Sequence, residues 1–182
     1  MIVDHWACPI TSIEGKLLGI EIQSHVERDG VRILAGIEEE VLSTQLRLVE
    51  GKAAWFRDNN LFCVMGKGTI TTKEYLPFLR QMTTTTRIHE KEWLDDLGVY
   101  GGSAIPLVTG DFEVVRLNRR YTQEIISRLI FPVLIKSIRQ YCDKVIVPVQ
   151  DKTYYKILKD AGVWAVQGEY KPIRFEQCEK LL

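Results

Sequence analysis

The fold class predicted for this sequence is an α/β domain with mainly parallel strand pairing, and three features predict it. FEVVRL (112–117) and KVIVPV (144–149) are short apolar runs of strand length and composition. Segments of helical spacing separate such runs through the second half of the chain. Prolines, a glycine and an aspartate fall where those helices would start and stop.

The elements follow in chain order. WACPITSI, a turn at Glu14-Gly15, and LLGIEIQSHV form a candidate hairpin. In its second arm Leu18, Ile20 and Ile22 alternate with Gly19, Glu21 and Gln23, the period of a strand. From Glu38 to Asp58, the residues Val41, Leu42, Leu46, Val49, Ala53 and Phe56 recur at helical spacing. Its apolar stripe, with Trp55 and Phe56 near the end, reads as a core-facing surface or, in part, as a face for a partner. LFCVMG (61–66) is a compact strand candidate. Thr71 with Glu74 makes a capping box for a short helix limited by Pro77, and Thr83 to Thr86 reads as a loop or strand entry. After FEVVRL come a helix from Tyr121 to Leu129 and another opened by Pro132 and running to about Tyr141. After KVIVPV, Asp151 caps the helix TYYKILKDAG, which Gly162 ends. VWAVQG is a last strand and IRFEQCEKLL a last helix.

Composition narrows the function classes. With 182 residues the chain reads as a single domain, 1–182, able to bury a core. Lys plus Arg and Asp plus Glu both number 24, so no net charge points to direct nucleic-acid binding or an anionic membrane. The start MIVDHWACPI lacks a secretory pattern, and no apolar run approaches the roughly 20 residues of a membrane span. Cys8, Cys63, Cys142 and Cys178 are scattered, without a CxxC pair, and read as free buried thiols. His5, His25 and His89 have no zinc-like spacing. A cytoplasmic location is the expectation.

Chemistry in α/β folds sits at the C-terminal ends of strands. The polar residues there are Asp95 and Asp96 of WLDDLG, Arg116 and Asn118 around the end of FEVVRL, and Gln167-Gly168 at the end of VWAVQG. Pro148 ends VIVP, and Glu21 lies on the strand face opposite Ile20 and Ile22. Taken alone, the adjacent carboxylates of WLDDLG fit a solvated turn or a helix cap; with partners they fit the mouth of a metal-assisted site. Arg116, Arg119 and Arg120 read as a solvated helix start or as a remnant phosphate contact.

The order of these segments resembles the EAL family of cyclic-di-GMP phosphodiesterases, which are modified TIM barrels. Glu21-Ile22-Gln23 stands where Glu-Ala-Leu would be, and WLDDLGVYGGSAIPL resembles the Leu-Asp-Asp-Phe-Gly segment. Arg116-Leu117-Asn118 falls at the place of Lys-Ile-Asp, VPVQDK (147–152) at that of Ala-Glu-Gly-Val-Glu-Thr, and AGVWAVQGEYKP resembles the Gln-Gly ending. The resemblance spans nearly the whole chain and implies a site at Glu21, Asp95, Asp96, Arg116, Asp151 and Gln167.

Departures from the family pattern imply that this site is vestigial. The resemblance implies a divalent metal held by oxygen ligands, but the family's asparagine aligns with Met65, whose sulfur suits a hard ion poorly. Arg116 replaces an orienting lysine, and Pro148 stands at the general-base position, a loss worth about 100- to 10,000-fold. No counterpart of Glu-Ile-Thr-Glu is found. Only thirty positions separate Met65 from Asp95, and the chain is short against the roughly 250 residues of such barrels. The expected fold is therefore an incomplete, TIM-barrel-like EAL domain without catalytic residues, metal or cofactor; magnesium or calcium enters only if the vestigial site still binds nucleotide.

LSTQLRLVEGKAAWFRDNNLFCVMG together with the dead site resembles the degenerate EAL proteins of enterobacteria. The best-known of these bind the flagellar master regulator FlhD/FlhC as protein antagonists. The resemblance thus implies a non-catalytic regulator of motility, fimbriae or biofilm, acting on a protein partner such as a transcriptional regulator. The alternatives are a cyclic-di-GMP sensor without hydrolysis and, third, an active phosphodiesterase with a rearranged metal site. Uncovered sheet edges in a shortened barrel also make a homodimer an expectation.

Overall fold

The computed structural model describes residues 1–35, 38–65, 93–168 and 172–182. The first hairpin forms as its alternation dictates. Strands β1 (Ile2–Thr11) and β2 (Leu17–Arg28) pair antiparallel around the Glu14-Gly15 turn, with Cys8 opposite Glu21. Gly15 adopts φ 91°, open to glycine without strain. Then come β3 (Val31–Leu34), α1 (Glu39–Glu50), α2 (Ala53–Asp58) and β4 (Phe62–Met65). Numbering on through the described residues, β5 (Trp93–Leu97), α3 (Ile105–Thr109), β6 (Val114–Leu117) and α4 (Arg119–Ile125) follow. The chain continues through α5 (Phe131–Ile138), β7 (Lys144–Val147), α6 (Tyr155–Ala161), β8 (Ala165–Val166) and β9 (Ile173–Arg174).

These nine strands form one mixed sheet in the order β3-β2-β1-β8-β7-β6-β5, with β4 also on β2 and β9 also on β1. Strands β5 to β8 pair in parallel, as does β2 with β4, whereas β1 runs antiparallel to all its partners. The length of β2 lets one edge serve two neighbours: Gly19 to Ile22 meet β4, and His25 to Arg28 meet β3.

The sheet curls into an incomplete TIM-barrel-like α/β fold. Ile10, Leu18, Phe62, Val64, Trp93, Val114, Ile146 and Ala165 come from seven strands and pack with Trp164 into one inner cluster. Phe62 bridges the parts of this lumen, its ring centroid 5.7 Å from that of Trp93 and 5.8 Å from that of Trp164. No ladder joins β4 to β5 among the described residues. Outside, Val115, Leu117, Val145 and Val147 pack beneath Phe131, Ile135, Ile138 and Leu158 of α5 and α6. Ile20, Ile22 and Cys63 pack with Val49, Phe56 and Phe175 on the other side. Successive strand residues therefore point alternately inward and outward.

Several sequence expectations are corrected in detail. Leu18 does not share a face with Ile20 and Ile22. A bulge opposite Thr11 inserts one residue, so Leu17 joins the outer cluster and Leu18 the lumen. The helix expected over Glu38 to Asp58 is two helices broken at Gly51-Lys52, where glycine's low helix propensity coincides with a new anchor. Lys52 Nζ reaches Glu176 O (3.1 Å) and Glu179 Oε1 (2.5 Å). The helix expected from Tyr121 starts at Arg119, because Asn118 caps it by accepting from Tyr121 N (3.0 Å). Asp151 caps a 3-10 turn, Lys152–Tyr154, leading into α6. The expected last helix is instead β9 followed by the 3-10 segment Phe175–Leu181, whose Phe175 and Cys178 are fully buried. Residues 66–92, with the expected Thr71–Glu74 capping box, Pro77 and His89, lie outside the described residues.

An ionic knot at Asp4 joins strands from both ends of the sequence. Buried Asp4 accepts from Trp6 Nε1 (2.8 Å) and pairs with His25 Nδ1 (2.8 Å), Arg32 Nη2 (2.6 Å) and Arg174 Nη1 (3.1 Å). It thereby ties β1 to β2, β3 and β9.

Gly168 has its own constraint: a Cβ built there would lie 1.4 Å from Val149 O. Gly168→Ala is expected to lower unfolding free energy by at least about 1–3 kcal/mol, the usual range for overpacking. Equilibrium urea denaturation measures it; an unchanged midpoint contradicts this packing.

Candidate functional site

The inward residues of the strands continue past the apolar cluster into a polar layer. Two positions beyond Trp93 stands Asp95, two beyond Val114 stands Arg116, and two beyond Ala165 stands Gln167. Pro148 lies two beyond Ile146, and Glu21 two beyond Gly19, with Cys8 opposite it across the hairpin. The period of two that builds the core thus delivers four polar side chains to one level of the lumen.

Arg116 holds that level together. Its Nε donates to Asp95 Oδ1 (2.7 Å) and its Nη2 to Asp95 Oδ2 (2.6 Å). Nη2 also donates to Glu21 Oε1 (3.1 Å), and Nη1 to Glu21 Oε2 (2.9 Å) and Gln167 Oε1 (2.8 Å). Gln167 Nε2 closes the ring on Glu21 Oε2 (2.5 Å). All five N–H donors of the guanidinium are used, each on a different oxygen. Arg116, Glu21 and Asp95 are only 7%, 5% and 8% exposed. Burial by itself would lower the Arg116 pKa, but the charges of Glu21 and Asp95 and the hydrogen bonds to them raise it above the ordinary arginine value. The side chain stays cationic.

The WLDDLG turn places its two carboxylates differently. Asp95 points into the lumen. Asp96 takes φ 53°, a left-handed conformation that turns the chain out of the strand, and its N–H donates to Asp95 Oδ1 (2.8 Å). Asn118 Nδ2 donates to Asp96 Oδ1 (3.2 Å), and the Tyr121 ring packs where Gly98 would carry a Cβ. Asp96 is therefore a turn residue on the rim, while Asp95 turns inward to Arg116.

The polar layer floors a cavity of about 560 Å³, whose walls include Glu21, Asp95, Asp96, Arg119, Pro148 and Gln167. Asp151 is not among the lining residues; it is exposed and spends its carboxylate on Thr153 N (2.8 Å). Arg120 pairs with Glu124 on the surface of α4. Met65 is also displaced from its expected role. It packs on the outer cluster, and the inward residue of β4, beside Glu21 in the ladder, is Val64.

Cys8, Gln23 and Gln150 line the cavity without having been singled out from the sequence. The hairpin register alone could have found Cys8. Burial, and next the charge of Glu21, pushes its thiol up to about 12.

The donor set does not suit the divalent metal that the resemblance implies. The oxygens that could hold it are turned onto a guanidinium, and the β4 position offers a hydrocarbon. Among the described residues no group of three or more His, Cys, Asp or Glu side chains is arranged to hold a metal ion. The inward residue at the end of β7, Pro148, has no proton-accepting group.

This architecture is similar to that of solved EAL-domain structures. Similar solved structures include the EAL-like domain protein YdiV, with a TM-score of 0.71 at 19% identity over 98% of this chain and 95% of that one. An EAL domain protein from Listeria monocytogenes EGD-e gives a TM-score of 0.64 at 14% identity over 97% and 91% of the two chains. A standalone EAL protein from Vibrio cholerae O395, in its c-di-GMP-bound form, gives 0.58 at 12% identity over 96% and 93%. No protein-family model and no curated protein matches the sequence. At these identities the likeness establishes the fold. None of the described helices is long and apolar enough to cross a membrane.

Two predictions follow from the buried network. Glu21→Ala and Asp95→Ala each leave Arg116 with unmatched donors and are expected to cost about 3 kcal/mol. The double variant is expected to lose less than the sum, because both acids share one partner; strict additivity in urea melts contradicts the shared clamp. All four thiols are free and buried, so a disulfide-exchange reagent at pH 8 is expected to label none before denaturation. Rapid labelling of Cys8 in the native protein contradicts its placement.

Proposed function

We propose that this chain is a non-catalytic EAL-type regulator that acts in the cytoplasm through protein–protein contact, in control of motility, fimbriae or biofilm. A transcriptional regulator such as FlhD/FlhC is the partner that the family resemblance favours. The observation that carries the non-catalytic half is the Arg116 clamp: both buried carboxylates are committed to an internal cation, and Pro148 supplies no base. Metal-assisted attack by water needs free oxygen ligands and a proton acceptor. The similar structures include both a protein described as a phosphodiesterase and an EAL-like domain protein, so the fold serves both readings and the side chains favour this one.

A cyclic-di-GMP sensor is the second reading, favoured by the open cavity over the clamp and the exposed Arg119 at its rim. Some structures of this fold are complexes with that nucleotide.

The purified protein is expected to leave cyclic-di-GMP intact in magnesium or manganese. Pro148→Glu alone is expected to remain inactive, because the clamp persists. Co-purification with FlhD/FlhC supports the regulator, and turnover by the wild type overturns it. Saturable calorimetric binding of cyclic-di-GMP in calcium, lost in Arg119→Glu, moves the sensor to the front.

A further inference from the structure

We infer that the free edge of β3 is a docking site for an extended segment of a partner protein, which joins the sheet as an antiparallel strand and sets an acidic residue, flanked by two apolar ones, against Arg32. This rests on the protein-contact reading above and gives that contact a surface. β3 ends the sheet on one side: it pairs with β2, and no other described strand lies beside it. Ala35 N donates to Ser24 O (2.8 Å), so in this antiparallel ladder Ile33 and Val31 also turn their backbone groups toward β2. The alternate residues, Arg32 and Leu34, present their N–H and C=O groups to the open edge. Those four groups are what an added strand bonds.

The side chains specify the occupant. Val31 and Ile33 share one face and are 58% and 38% exposed. Ile33 lies opposite buried Val26, so apolar neighbours on an added strand would extend the cluster of Val26, Ala35 and Val41. Arg32 is on the other face and is already positioned. Its Nη2 lies 2.6 Å from Asp4 Oδ2 and 3.3 Å from His25 Nδ1, and its Cζ lies 5.9 Å from the Trp6 ring centroid. Among the described residues these polar contacts use Nη2 alone, which leaves Nε and Nη1 to an incoming carboxylate. Asp4 is shared with Arg174 and His25. Glu27, opposite Arg32 in the ladder, is exposed, and Arg32 makes its ion pair with Asp4 instead. A cation fixed in advance loses little freedom on pairing. A second copy of this chain fits less well. Outward residues must meet outward residues, so another β3 sets Arg32 against Arg32, a like-charge pair, or against Leu34, which brings no counter-charge.

The test uses the full chain, isotopically labelled, and the end-capped peptide Thr-Val-Glu-Val-Ser, whose glutamate would lie opposite Arg32. Saturable shifts of the Arg32 and Leu34 amide signals, with slowed hydrogen exchange at both, are expected at millimolar peptide. Lysine in place of the peptide's glutamate is expected to weaken binding about tenfold, and Arg32→Glu to invert that preference. N-methylation of the glutamate removes the N–H that bonds Arg32 and is expected to abolish binding. N-methylation of the valine before it, whose N–H points away, is expected to leave binding intact. Equal binding of the glutamate and lysine peptides overturns the inference, as do equal effects of the two methylations or no saturable binding. These comparisons use wild-type protein, so they decide even where Arg32→Glu does not fold. A wild-type dimer in sedimentation that Leu34→Pro dissolves puts a second copy on the edge and overturns the acidic occupant. Failed co-purification with a transcriptional regulator removes the functional reading and leaves peptide binding in place. Failed peptide binding with co-purification intact removes this inference alone.

Discussion

Two carboxylates buried at the same level of a barrel lumen cannot remain unneutralised, and that requirement organises this protein. Isolated buried charge is disfavoured by many kcal/mol, so Glu21 and Asp95 must meet a counter-charge or give up ionisation. Arg116 meets both with four of its five donors. Its strand must place it inward, Gln167 must stand where β8 ends, and β2 must bring Glu21 to the same height. The chain answers a charge problem with its own side chain, and the cost is chemical: all four carboxylate oxygens are already turned onto a guanidinium.

Layering by twos is the device that makes this arrangement possible. Where the alternation is regular, the inward positions of β5, β6, β7 and β8 read from apolar core directly to polar site. The bulge at Leu18 belongs to the same logic. It resets the phase of β2 so that Leu17 packs outside, Leu18 fills the lumen, and Glu21 still arrives at the level of Asp95 and Arg116. Pro148 fits the same period and carries no ladder N–H beyond the strand end.

Much of this was legible in the residues. The hairpin followed from its turn and alternation, the parallel half from short apolar runs between capped helices, and Asp95, Arg116 and Gln167 from their places at strand ends, with Glu21 from its strand face. What escaped reading is tertiary. Alternation cannot reveal a bulge, so Leu18 looked like a companion of Ile20. Helical spacing continues through Gly51 because nothing local shows that Lys52 will be held by Glu176 and Glu179. Alignment put Met65 in the site, but phase puts Val64 there. Most of all, a sequence shows Arg116 as an altered lysine; only the fold shows five oxygens closing on it. Asp151 looked like a site residue for the opposite reason, since a capping aspartate and a ligand aspartate are the same letter.

The partners of β1 also bear on how the molecule comes together. Trp6 and Ala7 pair with Arg174 and Ile173, Thr11 with Val166, and Asp4 is gripped by Arg174. These are contacts between segments some 160 positions apart, whose closure entropy must be met before they return any stabilisation. During synthesis the hairpin is made well before its partners and waits with one edge of β1 unpaired until Val166, Ile173 and Arg174 have been made. Its greatest exposure to wrong pairing therefore falls in that interval, and β8 and β9 act as the latch that ends it.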